Sequence, residues 1–91
     1  MMEAGEKSRN MIGSKVRQIR KLQKLRMADL AARCTLMGFC IEWHSISKIE
    51  RGIRGVSDLE MYLLAKALRV GMDNLVPTKI PAWKKTLVHP A

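Results

Sequence analysis

Ser45-Ile46-Ser47-Lys48-Ile49-Glu50-Arg51-Gly52, with residues 41–44 before it, is the stretch that decides the fold. Read as a helix, it places Ile46 and Ile49 on one face, where apolar residues of a preceding helix can pack against them. Gly52 is a natural end point, because helices commonly end with a left-handed residue and glycine adopts that conformation without strain. The pattern predicts a short helix with an apolar back and a polar front.

Apolar residues at helical spacing predict further helices on both sides of this one. Gly38 is expected to end the second helix. Ser57, followed three residues later by Glu60, forms a capping-box pattern at the start of the fourth helix. The predicted helices cover residues 11–25, 27–37, about 42–51, 58–69 and 72–76. The fold class is therefore all-α, a compact five-helix domain.

The same spacing predicts which apolar residues point inward. Leu22 belongs to the apolar stripe of the first helix, Met37 to that of the second, and Leu75 points inward from the fifth. The connector between the second and third helices is too hydrophobic for a free loop. We therefore expect Phe39 and Ile41 to be at least partly buried.

The residues outside 11–76 show no helical periodicity. Residues 1–10 are expected to form a flexible N-terminal arm and residues 77–91 a C-terminal tail. The acidic start does not resemble a signal peptide, and no apolar run reaches the ~20 residues of a membrane span. A cationic first helix could lie on a membrane surface, but its apolar face is needed for the core. The sequence predicts a cytoplasmic protein that does not bind membranes.

Charge is the strongest compositional feature of these 91 residues. The chain has 17 lysines and arginines but only 8 aspartates and glutamates, which gives a formal net charge of +9 and a pI of about 10.2. No acid interrupts the basic stretch from Lys7 to Arg26. Such a field on a small domain indicates a polyanionic partner, most often nucleic acid, or else a solubilising helix face.

Cysteine and histidine usage argues against metal and catalytic sites. Cys34 and Cys40 are too few for a disulfide scaffold, and their spacing to His44 lacks the pattern of a structural zinc site. A free cysteine is usually a small buried hydrophobe. His44 and His89 have no patterned carboxylate partner, and there is no glycine-rich phosphate loop. We expect no cofactor, no metal and no enzymatic activity.

Three segments taken together resemble the Cro/C1-type (XRE family) helix-turn-helix regulators. They are Asp29-Leu30-Ala31, Ile46-Ser47-Lys48-Ile49-Glu50-Arg51-Gly52 and Leu64-Ala65-Lys66-Ala67-Leu68. The resemblance covers roughly residues 12–76 and implies a lambda-repressor-like DNA-binding domain. The gap between the first two segments is longer than in compact phage repressors by somewhat more than one helical turn. It resembles a branch of the family with a lengthened connection between the second and third helices.

The resemblance implies sequence-specific transcriptional regulation, here as a repressor, by a homodimer that reads an operator in double-stranded DNA. The third helix would enter the major groove. The residues on the family's base-reading positions are Trp43, His44, Ser47 and Lys48. The residues near its phosphate contacts are Arg26, Ser45, Arg51 and Arg54. The resemblance also implies a structural ion pair between Arg20 of the first helix and Glu50 of the third.

Alternatives remain open for the role of Trp43 and for the function, and the sequence also predicts where the homodimer forms. Trp43 either packs on a thymine methyl group or sugar, or packs on the lengthened connector. The homodimer is expected to form through the fifth helix and the tail, around Leu75, Val76 and Trp83. The rival function is a protein-interaction module on the same fold, such as an antitoxin or anti-repressor partner, with the tail around Trp83 as its docking segment.

Overall fold

The computed structural model describes residues 8–78, and this part of the chain is helical without any strand. The all-α fold class is confirmed. Predictions that concern residues 1–7 and 79–91, including Trp83 and His89, lie outside the described residues. The elements are α1 (Gly13–Leu22), α2 (Met27–Leu36), α3 (Trp43–Glu50), α4 (Asp58–Leu68) and a 3-10 turn (Met72–Leu75).

All four α-helices end in the same hydrogen-bonded motif around a left-handed residue. At the end of α1, for example, the Leu25 N–H donates to the Arg20 carbonyl oxygen at 3.0 Å. This bond, from the residue after the left-handed one, satisfies a carbonyl that the helix leaves open. The left-handed residues are Lys24, Gly38, Gly52 and Arg69, with φ of 59°, 90°, 75° and 62°. Both glycines therefore act as the predicted stops.

Two inward positions expected from the sequence are wrong. Lys24 turns the chain so that α1 ends at Leu22, which is 75% exposed. Met37 is also exposed, because α2 ends one residue before it. Leu22 lies inside α1 but on a different face from the buried Val16 and Arg20, whereas Met37 lies beyond the last helical residue of α2. Phe39 is half-buried and Ile41 is buried, as expected for the connector.

The expected fifth α-helix is instead a single 3-10 turn, Met72–Leu75. Only seven residues separate the left-handed Arg69 from Pro77. A segment this short cannot offset the cost of nucleating an α-helix, and tighter 3-10 turns are common in such connections. Leu75 is completely buried, so it cannot contribute to a dimer surface, whereas Val76 is partly exposed.

The α4 helix begins with the predicted capping box. Ser57 Oγ accepts a hydrogen bond from the Glu60 N–H at 3.1 Å, and Glu60 Oε1 accepts one from the Ser57 N–H at 3.1 Å. The two bonds satisfy two backbone donors that a helix start otherwise leaves open.

The apolar back of α3 packs into the centre of the molecule, against α1 and α2, while α4 closes the other side of α2. Each fully buried Leu, Ile or Val contributes roughly 1.5–3 kcal/mol relative to exposure. The burial of these side chains therefore determines which side of α3 faces outward. The largest fully buried side chains of the core are Val16, Leu30, Cys34, Ile46, Ile49, Leu64, Leu68 and Leu75.

Residues 8–10, which the sequence assigns to the arm, are tied to the end of α3. The Arg9 N–H donates to the Gly52 carbonyl oxygen at 2.8 Å. Asn10 Nδ2 donates to the carbonyl oxygens of Ile49, at 3.0 Å, and Arg54, at 2.8 Å. Asn10 Oδ1 accepts from the Gly13 N–H at 2.7 Å. One amide side chain thus joins the start of α1 to the end of α3.

Within residues 8–78, no helix has the length and apolar character needed to cross a membrane.

Candidate nucleic-acid interface

The outward side of α3 carries a row of three polar side chains. Ile46, Ile49 and Glu50 are buried, and residues four and seven positions apart share a face of a helix. His44, Lys48 and Arg51 therefore follow one another along the opposite side, and all three are exposed. We call these three residues the outward row.

The two serines predicted to contact DNA lie beside this row. Ser45 and Ser47 are both half-buried, one on each flank of the helix. The side chains of the outward row are exposed and are therefore more accessible than the two serines.

A buried ion pair fixes α3 against α1. Arg20 Nε donates to Glu50 Oε2 at 2.6 Å, and Arg20 Nη2 donates to Glu50 Oε1 at 3.0 Å. Arg20 Nη1 also donates to the Leu25 carbonyl oxygen at 2.7 Å. The hydrogen bonds to Glu50 raise the pKa of Arg20 against the opposing effect of burial. This is the pair implied by the resemblance, and its two parallel bonds fix the orientation of α3.

The start of α3 is exposed and polar. Glu42 is its N-cap residue, with φ −102° and ψ 162°, but the Glu42 side chain accepts no hydrogen bond from the first turn. Its Oε1 lies 3.4 Å from His44 Nε2 instead. The Trp43 residue is 57% exposed, and its ring meets the His44 ring edge-on at 5.7 Å between centroids. Trp43 therefore stands beside the outward row with more than half of its surface accessible.

Two of the arginines predicted to bind phosphate already share their charge with a carboxylate. Arg26 Nη2 lies 3.1 Å from Asp29 Oδ1, and this hydrogen-bonded pair lowers the pKa of Asp29. Arg54 Nη2 lies 3.2 Å from Glu60 Oε2, and its hydrogen bonds lower the pKa of Glu60. The Arg26 side chain is nevertheless 82% exposed.

Lys48 and Arg51 are different from these paired arginines. Across the described part of the chain, neither one forms an ion pair, and both are exposed. Arg51 Nε makes a long bond of 3.4 Å to the Ser47 carbonyl oxygen. The positive charge of the outward row is therefore available to an external anion. Within residues 8–78, the other exposed basic residues, besides Arg26, are Arg9, Arg17, Lys21, Lys24, Lys66 and Arg69.

The two cysteines are free thiols in different surroundings. Cys34 is fully buried in α2, and burial raises the pKa of its thiol to about 11. Cys40 is exposed, which contradicts the expectation of a buried hydrophobe; its neighbours Phe39 and Ile41 are the connector residues that turn inward. Residues 8–78 contain no cluster of three or more His, Cys, Asp or Glu side chains that could hold a metal ion.

Sequence reasoning missed two residues that shape this surface. Asn10 was assigned to the arm, although asparagine before a helix start is a capping signal. Glu42 is not among the side chains that the sequence predicts to contact DNA. Its exposed position next to His44 follows from the backbone of the connector, which the sequence pattern does not encode.

The exposed side of α3 thus offers an acceptor at Glu42, ring nitrogens at His44 and cationic donors at Lys48 and Arg51. Such a surface can hydrogen-bond a polar edge and neutralise an anion.

No protein-family model, curated protein or solved structure matches this chain.

Proposed function

We propose that this protein is a sequence-specific DNA-binding transcriptional regulator that inserts α3 into the major groove. The observation that carries the proposal is the outward row, which stands opposite the buried Ile46 and Ile49. An α-helix such as α3 is roughly 10–12 Å across with its side chains. The major groove of B-DNA is about 12 Å wide and admits an α-helix.

The side chains of α3 suit base edges. Lys48 can donate to guanine O6 or N7, and His44 can donate or accept at the same edge. Trp43 presents an apolar ring that suits a thymine methyl group. Ser47 lies within the same surface and can donate or accept. A row with both donors and acceptors supports reading of sequence rather than charge attraction alone.

Basic residues around α3 support affinity for the phosphate backbone. Arg51 lies at the end of the outward row, and Ser45 flanks it. Arg26, at the start of α2, and Arg54, after α3, would also bind phosphate oxygens. Each would then give up some of its hydrogen bonds to its carboxylate partner, Asp29 or Glu60. Neutralising phosphates releases counterions, so these contacts supply affinity without sequence information.

The arrangement of four α-helices with a 3-10 turn in the fifth position is compatible with a lambda-repressor-like domain. We propose that it acts as a repressor and binds a pseudo-palindrome as a homodimer. Of the residues that the sequence predicts at the dimer surface, Leu75 is buried, Val76 is exposed and Trp83 lies outside the described residues.

A protein-interaction module is the second candidate. Leu59 is 62% exposed and Tyr62 is 44% exposed, and both lie on the outer side of α4. Exposed apolar side chains on one helix face favour a protein partner, as for an antitoxin or anti-repressor partner. This surface is on a different helix from the outward row, so the two candidates can be separated by mutation.

The experiment that tests the proposal is selection of bound sequences from random duplex DNA at about 0.15 M salt, the physiological ionic strength. We expect an enriched pseudo-palindrome, with affinity that falls steeply as salt rises. Binding without enrichment would indicate a non-specific DNA-binding protein. No binding would shift the assignment to the protein-interaction module.

A further inference from the structure

We propose that Glu42 reads a cytosine in the operator, and that it raises specificity while lowering affinity for other DNA. The inference rests on the proposed function and adds a residue to it. Glu42 lies at the start of α3, beside the outward row, and presents the acceptor that a cytosine amino group requires.

The structural role expected for this position is absent. Ser, Thr, Asp and Asn are the side chains that cap helices, because their short side chains reach the first-turn N–H groups. Ser57 does so for α4, where its Oγ accepts from the Glu60 N–H at 3.1 Å. The Glu42 side chain makes no such bond to α3 and is 76% exposed. Helix capping therefore does not explain this carboxylate.

The contact between Glu42 and His44 does not explain the presence of a carboxylate at this position either. Oε1 of Glu42 lies 3.4 Å from Nε2 of His44, and both side chains are mostly exposed. Even charged pairs on an exposed surface contribute little to stability. The distance does place the Glu42 carboxylate next to His44, the first member of the outward row. The carboxylate therefore lies beside the surface that would face the groove.

A carboxylate on that surface has an electrostatic consequence. DNA phosphates repel it, so Glu42 weakens binding to any duplex where it gains nothing in return. A hydrogen bond to a base can offset this repulsion only where the base offers a donor. In the major groove the donors are the amino groups of cytosine and adenine.

Cytosine fits the acceptor better than adenine does. The adenine amino group lies between N7 and thymine O4, which are both acceptors and repel a carboxylate. The cytosine amino group has guanine O6 on one side only. A glutamate therefore favours cytosine, whereas a glutamine, which both donates and accepts, pairs with adenine N6 and N7.

The test is to repeat the selection from random duplex DNA with the full chain and two variants, Glu42→Ala and Glu42→Gln. We expect one cytosine position of the parent motif to lose its preference in Glu42→Ala and to change to adenine in Glu42→Gln. The rest of the motif should remain. The matched control is Asp73→Asn, which removes an exposed acid from the 3-10 turn, an element that packs on α1 and α4.

Affinity measurements give a second, independent readout. Glu42→Ala should bind a duplex without the motif several-fold more tightly, and the ratio of specific to non-specific affinity should fall about tenfold. Asp73→Asn should leave that ratio unchanged. Circular dichroism of each variant would establish that α3 is still folded.

Three outcomes would contradict the inference. An unchanged motif and ratio in Glu42→Ala would make Glu42 a surface charge only. Loss of an adenine instead of a cytosine would overturn the choice of base. If the parent protein enriches no sequence, the proposed function fails together with this inference, whereas an enriched motif that ignores Glu42 leaves the function intact.

Discussion

A Cβ atom on Gly13 would overlap the carbonyl oxygen of Ile49, and would lie 3.0 Å from that of Glu50. The start of α1 therefore touches the backbone at the end of α3. Both contacted atoms belong to the main chain, so neither can move aside by rotating a side chain. The absence of a side chain at Gly13 sets how closely the two helices approach.

We predict that Gly13→Ala lowers the free energy of unfolding by about 1–3 kcal/mol, as overpacking does. The direction of this change is informative, because a glycine-to-alanine substitution within a helix ordinarily raises the free energy of unfolding by about 1 kcal/mol. Urea unfolding measures the change. Gly55→Ala is the control, since its Cβ would meet only the Arg9 carbonyl oxygen at 3.8 Å. Equal effects of the two substitutions would contradict a close-packing role for Gly13.

Glu50→Ala should lower the free energy of unfolding by about 3 kcal/mol or more, because it leaves the Arg20 charge buried without its partner. Arg54→Ala breaks a pair that is more exposed and should cost about 1 kcal/mol or less. Thermal or urea unfolding of both variants gives the comparison. At a temperature where Glu50→Ala remains folded, its DNA affinity should fall less than its stability does. A loss of binding with unchanged stability would show instead that Glu50 contacts DNA.

The lowered pKa of Glu60 predicts a loss of stability in acid. The hydrogen bonds from Arg54 lower this pKa below its ordinary value of 4.5 in the folded protein. The corresponding stabilisation is present above pH 4.5 and is lost as the pH falls through the lowered pKa.

Glu60→Gln isolates this charge, because glutamine also serves in a capping box. We expect the parent to be more stable than Glu60→Gln at neutral pH and the difference to shrink in acid. Unfolding measured from about pH 6 to about pH 2.5 covers the transition. A difference that does not change with pH would mean that the Glu60 charge contributes nothing.

Lys48→Ala should weaken binding to the selected operator by about 1–3 kcal/mol, the value of a good base contact. Its free energy of unfolding should change by less than about 0.5 kcal/mol, because the side chain is exposed. Lys66→Ala removes the same charge from α4, where the Lys66 amine lies 5.6 Å from the centre of the Tyr62 ring. Fluorescence anisotropy with labelled operator measures both. Equal losses for both variants would make Lys48 a general charge rather than a base reader.

The two thiols should react with a thiol reagent at very different rates. Cys40 is exposed, whereas Cys34 is buried and its pKa is raised to about 11, so little reactive thiolate forms. We expect the native parent to take up one label quickly and a second only on unfolding. In Cys40→Ser, the native protein should take up none quickly. Rapid labelling of native Cys40→Ser would show that α2 opens readily.

The interior of the fold was largely predictable from the sequence, because local periodicity encodes it. Ile46 and Ile49 recur at helical spacing, and both are fully buried. The pairing of Ser57 with Glu60 depends on two residues three positions apart, so a local pattern reveals it. Gly38 and Gly52 marked helix ends, since glycine is the usual residue at that left-handed position.

The predictions were wrong where the structure depends on a backbone conformation that no particular residue type marks. Lys24 and Arg69 adopt the left-handed conformation without being glycine, so no sequence signal marked those two helix ends. Because Lys24 carries no such signal, the predicted first helix runs to residue 25 instead of ending at Leu22. The exposed place of Cys40 depends on the path of the connector.

By itself, the sequence determined the helical class, most of the residues that form the core, the capping of α4 and the excess of positive charge. These depend on side-chain type and on spacing within a few residues. Only the tertiary structure decided that Asn10 bridges the carbonyl oxygens of Ile49 and Arg54, and that Gly13 lies against α3. Backbone carbonyl groups are the same at every residue, so only the folded chain shows which of them lies within reach of a side chain about forty positions away.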